Sequence, residues 1–138
     1  MSFREDIGNI RTDGYNDGRY NSDSSAEEET VRILGLDNLL DDEVPISARR
    51  SGLDIKGVAT QAVKRAAAEW REFLQDEIDS GSDATYGSFF RGDEEDSPRS
   101  KAEQAELLNA YIDAFSAGLY DRIIEHVDWI IEEALVYE

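Results

Sequence analysis

The chain has 138 residues, no cysteine, one histidine, and 32 acidic against 14 basic side chains, for a formal net charge of −18. That length is one domain's worth, and the residue counts exclude disulfides, thiolate metal sites, cysteine nucleophiles and most histidine-based catalysis. The charge disfavours direct binding to DNA or RNA, whose phosphates it would repel.

Residues 1–25 are polar and rich in Gly and Asn, with scattered Phe3, Tyr15 and Tyr20. They read as an extended arm. The stretch TDGYNDGRYNSD, residues 12–23, opens like a calcium loop. Asp13, Asp17 and Gly18 suit loop positions 1, 5 and 6. Tyr15 stands where a third oxygen is needed, however, and Ser24 replaces the closing bidentate Glu. The segment is therefore read as turn-forming chain, since Asn and Gly reach positive φ cheaply.

A short helical segment is expected at about 26–43, with Ser25 as its cap and Glu28 at the capping-box position. Val31, Ile33 and Leu34 give it an apolar side, and Gly35 interrupts it before Leu36, Leu39 and Leu40. Pro45 forces Val44 into an extended conformation.

The spacing predicts a long amphipathic helix over about 52–79, opened by Ser51 and Asp54. Ile55, Ala59, Ala62, Ala66, Trp70, Phe73 and Leu74 recur at three- and four-residue steps. Val58, Val63 and Ala67 widen that face, as in a helix with more than one neighbour. Residues 79–97 form a loop whose Tyr86, Phe89 and Phe90 tuck it onto the domain. Its Arg91-Gly92-Asp93 tripeptide is read as a chance match to an integrin motif, because no secretory signal is visible.

A second long helix is expected over about 98–136, with Pro98 in its first turn and Ser100 and Glu103 in capping-box spacing. Ala105, Leu108, Ile112, Phe115, Leu119, Ile123, Val127, Ile130 and Ala134 form one apolar stripe. Gly118 is the expected break. Beyond it a second stripe appears, made of Tyr120, Ile124, Ile131 and Leu135, and is expected to face another chain. The first stripe, at Ile123, Val127 and Ile130, is expected to pack on the helix that carries Trp70 and Phe73.

Candidate sites are few. His126 lacks a second imidazole and a Glu three residues before it, so it reads as structural rather than as a di-metal ligand. Asp121, Glu125, Asp128 and Glu132 form an acidic ridge whose neighbours lie about 5 to 6 Å apart along the helix. Such a ridge is first a solvated face, and alternatively an imitation of a phosphate backbone. Arg49, Arg50, Lys56, Lys64, Arg65 and Arg71 form a basic island. It suits the acidic ridge of another copy, the acidic arm of its own chain, or a local nucleic-acid contact.

The expectation is thus a mostly α protein: two long amphipathic helices, a short helical segment, and one domain from residue 26 to 138 preceded by an arm. No nucleophile with a base, glycine-rich phosphate loop or metal cluster is visible, so no cofactor is expected. Binding is the expected work, as an assembly subunit or adaptor for a protein partner or further copies of itself. The setting is cytoplasmic or a particle assembled there, with no membrane partner. Only 3 of the 14 bases are Lys, and such an acidic, Lys-poor surface suits a salt-rich, halophilic interior or a virion component. The alternative is an acidic mimic that inhibits a nucleic-acid enzyme, and a small enzyme is third.

Overall fold

A computed structural model describes residues 3–36, 46–81, 89–93 and 97–137. The protein is mostly helical, as its periodicity implies. α1 spans Phe3–Asn16 and runs into a π-helical turn, Asp17–Asn21. α2 covers Ser25–Ile33, and α3, Ile46–Arg49, leads through the 3₁₀ turn Arg50–Gly52 to α4, Ile55–Asp79. A two-residue antiparallel ladder, β1 (Gly92–Asp93) with β2 (Ser97–Pro98), precedes α5, Lys101–Val136. Leu39, Leu40, Val44, Pro45 and Tyr86 lie outside the described residues.

α5 is the axis of the fold, and α1, the π turn, α2, α3 and α4 all pack against it. Its start is fixed by a complete capping box. The Ser100 hydroxyl accepts from the Glu103 amide at 3.1 Å, and the Glu103 carboxylate accepts from the Ser100 amide at 3.0 Å. Pro98 therefore belongs to the ladder rather than to the first helical turn. At α4 the cap is Asp54 itself, whose carboxylate accepts from the Gly57 amide at 3.1 Å.

Residues 3–21 are not an extended arm. They are α1 and the π turn, and they join the same core through Ile10, which is 2% exposed. Glycine lowers intrinsic helix propensity, but here it permits contact. A Cβ on Gly14 would lie 2.5 Å from the Tyr111 carbonyl oxygen, and one on Gly118 would lie 3.0 Å from the Arg19 nitrogen. The backbones of α1 and α5 thus touch directly, and that packing overrides local preference. For the same reason Gly118 does not break α5, which runs unbroken for 36 residues.

Ile123 and Val127 are fully buried, and so is Ile131 at 1% exposure. Ile131 is therefore core, not a surface for another chain, because the helices flanking α5 cover more of its girth than one neighbour would. Phe73 departs the other way and is half exposed. Phe90 from the helical turn at 89–91 is fully buried, edge-on to Tyr111 with ring centroids 5.9 Å apart. A chain of rings continues through Phe115 and Trp70 to Phe73. The Arg91 side chain donates to the Glu77 carbonyl at 3.2 Å, and Gly92 and Asp93 are paired in the ladder, so the tripeptide is built into the structure.

Candidate functional site

An open groove of about 870 Å³ runs along the outer side of α5, bounded by the π turn and α2. Its apolar lining is Tyr20, Tyr120, Ile124 and Trp129, and its rim holds Asp121, Glu125, Asp128 and Glu132. Tyr20 is 68% exposed and Trp129 57% exposed, while Tyr120 and Ile124 are half-buried. The structure thus brings the predicted acidic ridge and two residues of the predicted second stripe to one place. Leu135 is half-buried near the end of α5 and does not line the groove.

The groove is held in shape by contacts between α5 and the N-terminal elements. The Tyr15 hydroxyl donates to Asp121 at 2.7 Å. That bond raises the Tyr15 pKa above its usual value, with burial and the Asp121 charge adding to it. Arg19 pairs with Glu125, and its guanidinium also donates to the Tyr20 hydroxyl at 3.1 Å. Its pKa is raised, first by the Tyr20 hydrogen bond and then by Glu125.

Arg122 is committed inward. It donates to Glu27 at 2.8 Å and to the Ser22 carbonyl and hydroxyl at 2.7 and 2.8 Å. His126 lies 3.4 Å from the other Glu27 oxygen and stacks on Trp129, with centroids 6.1 Å apart. It therefore buttresses the groove. Asp128 and Glu132 make no hydrogen bond or ion pair among the described residues. Both bases of the groove, Arg19 and Arg122, are thus matched within the chain, and the remaining rim charge is negative.

A second cleft of about 540 Å³ lies between the π turn, α2, α4 and α5. Trp70, Phe73, Phe115 and Leu119 line it beside Asp17, Asp23 and Glu69. A part-buried relay runs along its wall: the Trp70 indole donates to the Tyr111 hydroxyl at 3.2 Å, and that hydroxyl donates to Asp17 at 2.6 Å. Tyr111 is fully buried, so the relay joins α4, α5 and the π turn through satisfied polar groups.

The basic island is dispersed. Arg65 pairs with Glu29 of α2. Arg50, Lys56, Lys64 and Arg71 are exposed, and their side chains have no partner among the described residues. Arg49 ends α3, and its side chain lies outside the described residues.

Sequence reasoning missed Trp129 and Tyr111, and it placed Tyr20 and Asp17 only in a polar arm. Trp129 falls among the ridge carboxylates rather than on either apolar stripe. Tyr20 belongs to a segment with no periodic signal. Among the described residues there is no cluster of three or more His, Asp or Glu arranged to hold a metal ion, and no helix is long and apolar enough to cross a membrane. No protein-family model, curated protein or solved structure matches the chain.

Proposed function

We propose that the chain is a non-catalytic adaptor or assembly subunit that binds another protein molecule through the α5 groove. The observation that carries this reading is the joint exposure of Tyr20 and Trp129 beside Ile124 and Tyr120 in one concavity. A large apolar side chain left in water forgoes about 1.5 to 3 kcal/mol of burial. Aromatic residues set within a polar rim are the usual anchors of protein contacts. The carboxylates around these rings favour a basic partner surface and speed its approach. The Lys-poor, acidic composition fits a salt-rich setting, in which screening limits repulsion between subunits.

The second reading is a mimic of nucleic acid, favoured by the exposed line Asp121, Glu125, Asp128 and Glu132. It is weaker because Asp121 and Glu125 are tied to Tyr15 and Arg19.

The test is a photo-cross-linking amino acid at position 129, with exposed Asn109 on the same helix as the control position. Irradiation in cells that make the protein should give adducts of discrete protein mass from 129 and not from 109. Equal adducts from both positions, or none from 129, would overturn the reading. Loss of the adduct on adding DNA, unaffected by Ile124→Ser, would favour the mimic.

A further inference from the structure

We propose that the α5 groove receives the basic flank of α4 from a second copy of this chain. The inference rests on the reading that the groove binds protein. Its basis is a match of charge and period between two exposed surfaces of the same molecule. Lys64 and Arg71 are seven residues apart on α4, both exposed and unpaired among the described residues. Two turns of helix separate them by about 10.5 Å along the axis. Asp121 and Asp128 are also seven residues apart on α5, as are Glu125 and Glu132. A helix laid along the groove therefore meets acidic partners at the same repeat as its own cations.

The other side chains suit that contact. Ala68, between Lys64 and Arg71 on the same flank, is exposed and small enough for a close helix crossing. The long stems of Lys and Arg cover apolar surface while their charges reach a rim. A guanidinium over the indole of Trp129 adds a cation–π attraction. Within one chain Asp121 and Glu125 already hold Tyr15 and Arg19, and Arg122 is turned to Glu27, while Asp128 and Glu132 are unmatched among the described residues. The net charge of −18 opposes association at long range, but salt confines that repulsion to about 8 Å at physiological strength. Groove and flank are different surfaces, so one contact leaves a free groove on one copy and a free flank on the other; these pair reciprocally in a two-fold dimer or recruit further copies.

The test uses two charge-reversed full chains, Lys64→Glu with Arg71→Glu, and Asp128→Lys with Glu132→Lys. None of the four residues makes an ion pair among the described residues, so both variants should keep the helical circular dichroism of the wild type. Sedimentation velocity from micromolar to near-millimolar concentration should show the wild type self-associating. Each variant alone should associate at least about tenfold more weakly. Mixing the two should restore association, because each reversed surface then meets its complement. A wild type that stays monomeric throughout, or a mixture no more associated than its parts, would overturn the proposal. In that case a discrete cross-link from position 129 to a different protein would leave the binding reading standing. Absence of any such adduct would remove both.

Discussion

Gly18 lies directly against the backbone of Phe115 and Leu119: a Cβ there would stand 2.9 Å from the Leu119 nitrogen and closer still to the Phe115 carbonyl. Gly118 repeats the relationship from the other helix, against Tyr15 and Arg19. The backbone has little freedom to withdraw at either point. Gly18→Ala and Gly118→Ala should each lower stability by about 1 to 3 kcal/mol or more through overpacking. Gly8, in α1, has nothing within 4 Å of its would-be Cβ. Gly8→Ala should therefore raise stability by about 0.5 to 1 kcal/mol. Urea denaturation midpoints decide it. A neutral Gly18→Ala would mean that the π turn is not docked on α5.

The relay from Trp70 through Tyr111 to Asp17 should be worth more than its apolar contacts. Tyr111→Phe keeps the ring stacked on Phe115 and edge-on to Phe90 but removes the donor to Asp17 and the acceptor for Trp70. A partly buried carboxylate then loses its 2.6 Å bond, at a cost of about 1.5 to 3 kcal/mol. Thermal or urea unfolding of the variant measures this. A change near zero would show that water replaces the hydroxyl without loss.

The N-terminal segment shows where sequence reading fails and why. α4 and α5 are legible because Ala62, Leu74, Leu108 and Ile123 recur at helical steps and Ser100 and Glu103 mark a start. α1 has no such stripe. Its Gly14 and Gly18 signal turns locally, yet in the fold they create the close contact that makes the segment helical. The breadth of the apolar surface after Gly118 was equally legible, but not its division. Which residues are covered depends on where α1, α2 and α3 land, and that placed Ile131 inside and left Ile124 at the edge. The carboxylates of the groove were visible as a ridge, whereas Trp129 among them belonged to no pattern.

Ile124 and Ile131 should therefore respond differently to the same substitution. Ile131→Asp forces a charge into a site 1% exposed and should cost more than about 4 kcal/mol. Ile124→Asp faces the groove and should leave the circular dichroism spectrum and most of the stability intact. Matched far-UV melts check the pair. Equal unfolding by both would make the groove floor part of the core.

The Tyr15–Asp121 bond gives the protein an alkaline limit. The Tyr15 pKa is raised in the folded chain, chiefly because its hydroxyl donates to Asp121. The folded state thus favours the protonated phenol. This contribution to stability is fully present below pH about 10, the usual tyrosine value, and is lost as pH rises through the folded value. Ring-labelled NMR titration should show Tyr15 ionising after an unperturbed tyrosine, and Asp121→Asn should bring it down. A Tyr15 midpoint unchanged by that substitution would rule out Asp121 as the cause.

On the proposed reading, Trp129, open to water in the isolated chain, is covered when the protein binds. The chain has 2 tryptophans, so Trp70→Phe leaves Trp129 as the sole indole reporter. At high dilution its emission should be that of a hydrated indole and should be quenched freely by acrylamide. On concentration to the associated state, or in the purified cross-linked complex, emission should move to the blue and quenching should fall. Emission and quenching unchanged in every associated form would contradict the account, because the groove would then be open while the protein is bound.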